Sequence, residues 1–391
     1  MKYGYNAICI NPSTMMMPVG YMERQHPIST TKGDLYARAF YLEDNEKLCF
    51  VTLDSLGVCP QVQKLFEATV KDVLGADVTL ILSSSHTHYA PSLTQAFGYI
   101  KTDDSYVKFV QSRMRAMLMN MKIREGTVKV DYNQVNQNLI GRNRISGQND
   151  DFVILHLLRF TLGNQRIGNF IIYNCHPTIS DAQVGHFTSD YVGVTLEVLS
   201  KTYPGEFFMF FQGPAGDIST RFTRKNKTYE EVIRMGRLLA DSVSELMKRN
   251  VKSKDLQLSR KRYEYSIDGQ FKSSENFEIS ESASDREKSE FENAKNILKD
   301  WASQPHLLHQ QIVVDVINMG MSTLYFNPFE LFSSYSKYLP VNGVLIGYSQ
   351  GYAGYMSDID VQDASYETLL EIYSEKDKQT LIEIIRAGGA I

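Results

Sequence analysis

Short apolar runs that end on chemically loaded residues recur along this chain. Val78-Thr79-Leu80-Ile81-Leu82 is β-branched and apolar, which predicts a buried strand, and the stretch after it carries His86 and His88. Residues 35–42 and 48–53 predict two strands joined by the turn Glu43-Asp44-Asn45-Glu46, the second stopping at Asp54. Residues 167–175 predict a strand that runs into His176-Pro177. The run 207–211 stops before Gly216-Asp217-Ile218-Ser219. Two strands over 311–326, folded about Asn318-Met319-Gly320, lead to Glu330. A strand over 341–348 leads to Tyr352 and Tyr355.

Helical periodicity lies between these runs. Pro60 opens a predicted helix to about Leu74, with Val62, Leu65, Phe66, Val70 and Val73 on one face. Further helices are predicted over 105–121, from Asp190 as a cap to Leu199, over 228–250, and over 366–387. Strand–strand pairs are mixed with strand–helix alternation. The expected fold is therefore α/β, a single catalytic domain over 1–391 with mixed sheets flanked by helices, and not a strictly parallel doubly wound sheet. Composition turns to Ser, Glu, Lys and Asp over 268–305, which predicts a surface insertion with one exposed helix, 281–301.

At 43% hydrophobic and 22% charged, the 391 residues have apolar mass for a large core. Net charge is −4, acids and bases are interspersed, and no basic stripe suggests nucleic acid. No run approaches the ~20 apolar residues of a membrane span. The amino terminus lacks a secretory pattern, and the four cysteines form no CxxC, so reduced thiols and a cytoplasmic location are expected.

His86 and His88 are two residues apart, so in extended backbone their rings point to one side. Such a pair can share a metal, or one ring can bind metal while the other handles a proton. Asp54, His86/His88, His176, Asp217/Ser219 and Tyr355 all follow apolar strands, and Glu330 comes just past another. That recurrence predicts one site assembled on the edge of a sheet.

The same residues carry a resemblance. Ser85-His86-Thr87-His88-Tyr89-Ala90-Pro91 resembles the THTHSxPGG block of the neutral/alkaline non-lysosomal ceramidases. Asn143-Arg144, His176-Pro177 with Ser189-Asp190, Gly216-Asp217-Ile218-Ser219, Pro328-Phe329-Glu330, and Tyr352/Tyr355 with Tyr366-Glu367 resemble further blocks, in the family's order. The resemblance covers the amino-terminal catalytic domain only, without the family's carboxy-terminal immunoglobulin-like domain.

It implies a zinc-dependent hydrolase of N-acyl amides. The implied Zn2+ ligands are His86, His176, Glu330 and Tyr355, with His88 and Tyr352 as competitors. Ser219 stands at the family's catalytic serine, as nucleophile or orienter. Arg144, His88 and Tyr366 are expected to hold the substrate carbonyl or the product carboxylate. Asp54, Asp190 and Asp217 are candidate acceptors for the ligand imidazoles. The expected substrate is ceramide-like or another N-acyl small molecule, and a homo-oligomer is compatible. A zinc esterase or lactonase, a metal-independent Ser219 enzyme, and an inactive binding protein remain as alternatives.

Overall fold

The computed structural model describes residues 1–272, 285–361 and 365–388, with backbone alone for 285–287. The chain builds three large sheets in succession. The first comprises β1 (Lys2–Cys9), β2 (Tyr36–Glu43), β3 (Lys47–Leu53), β4 (Thr79–Ser84) and β5 (Arg124–Glu125), in the order β4-β3-β2-β1-β5. Its crossover helix α1 (Pro60–Leu74) and the later α2 (Asp104–Met119) cover one face.

The second segment runs β6 (Val128–Asn136), β7 (Arg142–Asn143), β8 (Ile154–Leu162), β9 (Gln165–Tyr173), α3 (Asp190–Thr202), β10 (Phe207–Gln212), β11 (Ile218–Ser219), α4 (Tyr229–Lys248) and β12 (Lys254–Asp255). Its sheet has the order β10-β9-β8-β6-β12, while β11 pairs with β7 alone. The third segment holds β13 (Ser259–Asp268), α5 (Asp285–Ala302), β14 (His309–Asn318), β15 (Thr323–Phe326), β16 (Phe329–Leu331), β17 (Gly343–Ile346), β18 (Gly354–Met356), α6 (Tyr366–Leu369) and α7 (Glu375–Ala387). Its sheet order is β13-β14-β15-β17, and β16 pairs with β18.

The inner faces of the three sheets share one apolar core. Phe50 of the first, Phe170 and Phe211 of the second and Phe326 of the third pack against one another edge-on or tilted. Ring centroids are 5.3 Å apart for Phe50–Phe170 and 5.9 Å for both Phe50–Phe326 and Phe211–Phe326. Helices cover the outer faces, with α3 and α4 on the second sheet. Strands buried on both sides read as the continuous apolar runs seen in the sequence. Among the described residues no helix is long and apolar enough to cross a membrane.

One pairing in each large sheet is parallel: β3 with β4, β9 with β10, and β15 with β17. The six carboxyl ends therefore finish level, at Leu53/Ser84, Tyr173/Gln212 and Phe326/Ile346. This arrangement brings His86, His88, His176, Ser219, Glu330 and Tyr355 to one place, while Asp54 turns back onto β2.

Two expectations are corrected. The helix expected over 366–387 is two helices, interrupted at 370–374. The helix expected to be exposed within 268–305 is half buried. On α5, Phe291, Ala294, Leu298 and Trp301 recur at helical spacing and pack on the third sheet's outer core. Residues 273–284 of that expected insertion lie outside the described residues.

Gly216 shows how tightly the ends are fitted. Its N–H donates to the Leu331 carbonyl at 2.7 Å, and a Cβ there would lie 2.5 Å from the Glu330 carbonyl oxygen. Backbone atoms cannot swing aside as a side chain would. Gly216→Ala should destabilise the protein by ~1–3 kcal/mol, read as a lowered melting temperature. An unchanged melting temperature would show that this approach is not tight.

Candidate active site

Each site residue is placed by a strand end and then tied to the next. After β4, the Ser84 and Gln350 amides donate to the Tyr348 and Leu82 carbonyls at 3.0 and 2.9 Å, sewing this end to the one after β17. His86 and Tyr348 thereby meet, with ring centroids 4.1 Å apart. Both take positive φ, 64° and 53°. Neither is glycine, so both are held in a sparsely populated conformation by their surroundings. After β9, His176 pairs with Ser219 in a parallel bridge, and its N–H donates to the Ile218 carbonyl at 3.1 Å. Glu330 sits on β16 opposite Tyr355 of β18.

Three imidazoles and one carboxylate converge. The ligand nitrogens of His86, His88 and His176 lie within 4.8 Å of one another. Oε2 of Glu330 is 3.2 Å from Nε2 of His86 and 3.1 Å from Nε2 of His176. Nε2 of His88 is 3.2 Å from Nε2 of His86. Glu330 and His176 are fully buried, as is His86, whereas His88 is half-buried.

The protons can be placed. Nδ1 of His86 faces the Leu56 carbonyl at 2.7 Å, Nδ1 of His88 the Gly20 carbonyl at 3.0 Å, and Nδ1 of His176 the Ile218 carbonyl at 3.1 Å. A main-chain carbonyl only accepts, so each Nδ1 carries a proton, and the Nε2 of a neutral ring is left bare. Burial holds His88 well below the usual imidazole range and pushes His176 down to about 4, so both stay neutral.

Lone pairs thus face lone pairs across about 3 Å, an arrangement that calls for a cation between them. The spacing fits one. A tetrahedral ion with bonds of ~2.0–2.1 Å to such ligands sets them about 3.3 Å apart. The residues present therefore fit a metal ion, and nitrogen–oxygen donors of this kind suit zinc among others.

Phenols complete the surroundings of Glu330. Tyr352 donates to its Oε1, and Tyr348 to its Oε2 at 3.4 Å. Tyr355 lies over the Arg144 guanidinium, 5.6 Å from its ring centroid to the guanidinium carbon. Arg144 contacts Glu367 at 2.8 Å and donates to the Gly216 carbonyl at 2.5 Å. Burial works against its charge, but Glu367 and Tyr355 more than compensate. A cavity of about 370 Å³ opens onto His88, His176, Ser219, Glu330, Tyr355 and Tyr366. Arg144 and Tyr352 also line it, together with Ser289, Glu290 and Asn293 of α5.

Ser219 reaches this cavity, and its Oγ accepts the Arg221 N–H at 3.3 Å. Among the described residues no imidazole is hydrogen-bonded to that hydroxyl, so no Ser–His pair is formed.

The three aspartates are placed differently from expectation. None accepts from a ligand imidazole; main-chain carbonyls of Gly20, Leu56 and Ile218 take that part. Asp54 accepts from the Tyr36 N–H at 2.8 Å and from Arg38 at 3.2 Å. Asp190 ties the segment after His176 to α3, accepting from the Ile179 and Tyr191 amides at 3.1 and 2.8 Å. It is the first residue of that helix, not its cap, which is Ser189. Asp217 binds Asn143 at 3.0 Å and the Ser333 amide at 2.6 Å, so it fixes the loop that presents Arg144.

Burial pushes the Asp217 carboxyl up to about 7. A carboxyl raised above its unfolded value holds its proton longer in the folded chain. Stability should therefore fall as pH climbs from about 4 to 7, with the full cost above that window. Asp217→Asn removes the titration. Its melting temperature relative to wild type should be more favourable at pH 8 than at pH 5, by calorimetry. A difference independent of pH would contradict the raised value.

Sequence reasoning missed Tyr348. Its signal was position, two residues past a strand end, in a segment already rich in tyrosine.

The mixed α/β fold whose parallel strand ends close around this three-histidine, one-glutamate cluster has counterparts among solved structures. The chain matches the neutral ceramidase of Pseudomonas aeruginosa with a TM-score of 0.77 at 15% identity, over 98% of this chain and 73% of that one. It matches a ceramidase complexed with C2 with a TM-score of 0.77 at 14% identity, over 98% and 74%. The fold is thus the ceramidase fold, as the motif resemblance implied. No family model and no curated protein matches the sequence.

Proposed function

We propose that the protein is a zinc-dependent hydrolase that cleaves a linear N-acyl amide bond. The observation that carries this reading is the convergence of unprotonated Nε2 atoms on the Glu330 carboxylate. The ceramidase fold and the ordered motif blocks point to the same class of bond.

His86, His176, Glu330 and Tyr355 would hold the ion. A second reading, favoured by the 3.2 Å contact between His86 and His88, puts His88 in place of Tyr355. When bound, zinc supplies a Lewis acid for the amide carbonyl and a water acidified to a pKa of about 7.

The chain's own residues do the rest. Glu330, gripped by Tyr348 and Tyr352, balances the charge. His88 offers a bare Nε2 that can take a proton from water, its ring fixed by the Gly20 carbonyl. Arg144 presents a permanent positive charge to the oxygen that becomes negative as the carbonyl carbon turns tetrahedral. Ser219, without a base, acts as a hydrogen-bond donor to the substrate and not as the nucleophile. Tyr366 bounds the cavity near Tyr355, with ring centroids 6.1 Å apart.

The test is a panel of N-acyl and O-acyl compounds assayed before and after metal removal with dipicolinate. The reading expects amide turnover that disappears on chelation and returns with Zn2+. Full turnover after chelation would transfer the chemistry to Ser219. Turnover of esters alone would make the protein an esterase, and turnover of nothing would leave a binding protein.

A further inference from the structure

The charges around the cavity do not cancel evenly. Arg144 is matched by Glu367, Arg221 by Glu290 at 2.6 Å, and Lys227 by Asp181 at 3.3 Å. Glu330 faces the imidazole cluster, where the ion of the proposed function would balance its charge. Arg224, also on the cavity wall, is different. Its guanidinium donates to the Thr178 and Ile179 carbonyls and makes no direct ion pair among the described residues, although the Asp181 and Asp190 carboxylates act on it from farther off.

Behind it lies a second cation of the same kind. Arg24 is 8% exposed, donates only to the carbonyls of Val19, His88 and Ala182, and leaves Nη2 unpartnered. It stacks on Tyr21, 4.8 Å from the ring centroid, and both Arg24 and Arg224 act on that phenol electrostatically. Tyr21 itself lines the cavity.

A third feature is independent of charge. Ser180, 2% exposed and on the same wall, has an Oγ with no hydrogen-bond partner. Buried hydroxyls are normally satisfied, so this one is a donor left available to a ligand that reaches it. Glu23 is the remaining acid on the rim, and it is exposed, so solvent screens it more than the half-buried Arg224.

We propose that this end of the cavity binds a carboxylate carried by the amine half of the substrate, so that the preferred substrate is an N-acyl amino acid and not a neutral lipid amide. The inference rests on the amide-hydrolase reading. Arg224 is the principal contact and Ser180 Oγ a supporting donor, a guanidinium being matched in shape to a carboxylate. In the reaction the acyl C–N bond breaks. Water adds its hydroxyl to the acyl carbon and its proton to nitrogen, giving a free acid and a free amino acid.

The experiment compares kcat/KM for N-octanoylglycine, N-octanoylethanolamine and N-octanoylsphingosine on the zinc-loaded full chain. These share an acyl group and differ in the amine half. The carboxylate-bearing amide should lead by about tenfold or more, the scale set by one charge-assisted pair. In Arg224→Met that lead over N-octanoylethanolamine should collapse, and Arg224→Lys should recover part of it. Ser180→Ala should narrow the lead by a smaller factor.

Equal or faster turnover of the two neutral amides by wild type would overturn the carboxylate site while leaving amide hydrolysis intact. A lead that survives Arg224→Met would overturn the assignment to Arg224. If Arg224→Met changes only inhibition by octanoate, the site holds the product acid and the proposal fails. Turnover of no amide would sink the underlying hydrolase reading instead.

Discussion

Glu330→Gln should leave the protein folded but unable to retain zinc, with kcat/KM down on the order of a thousandfold or more. The carboxylate is the one negative charge in the cluster, and both His86 and His176 are set against its Oε2 at 3.2 and 3.1 Å. Losing an outer partner of a metal ligand alone costs ~10–100-fold in affinity or activity. Removing the charge that balances a dication costs more. Glutamine keeps the shape, so folding should survive. The two states then separate cleanly by melting temperature. Zinc at 100 times its dissociation constant should stabilise wild type by about 2.7 kcal/mol and should not move Glu330→Gln. A variant that keeps its zinc and its zinc-dependent melting shift would remove Glu330 from the metal site.

Arg144→Leu is the second large effect, and it should fall on kcat. The guanidinium is held from three sides: by Glu367 at 2.8 Å, by the Gly216 carbonyl at 2.5 Å and by the Tyr355 ring. A cation fixed so firmly costs no reorganisation when charge develops on the substrate oxygen. Removing one such donor costs ~100–1,000-fold in kcat. Arg144→Lys should not rescue, because an ammonium cannot reach three partners with a planar fork. Zinc content should be unchanged in both variants. A rise in KM with kcat unaltered would make Arg144 a binding residue for the ground state only.

The strand ends were legible because both faces of each strand are buried. Val78 to Leu82, Thr79 apart, and Phe207 to Phe211 had to be apolar, and the change to polar residues marked where each strand left the core. Which pairings are parallel left no such mark, although the parallel pairs are what level the six ends. The histidines and Glu330 were readable as residue types at strand ends. Their Nδ1 acceptors were not, because the carbonyls of Gly20, Leu56 and Ile218 have no side-chain signature. Three aspartates looked like the natural acceptors, yet each is spent on backbone amides or on Arg38. The helix α5 misled by composition. Its many charges hide a narrow stripe of Phe291, Ala294, Leu298 and Trp301 that docks it beside the cavity.

On the proposed function, side chains from distant parts of the chain grip one divalent ion beside Ser219. Crystals of the protein loaded with Zn2+, measured on both sides of the zinc absorption edge, test it most directly. One anomalous peak per chain is expected, within ~2.0–2.2 Å of Nε2 of His86, Nε2 of His176 and a Glu330 carboxylate oxygen. A map with no peak there, or with zinc bound only elsewhere, would contradict it.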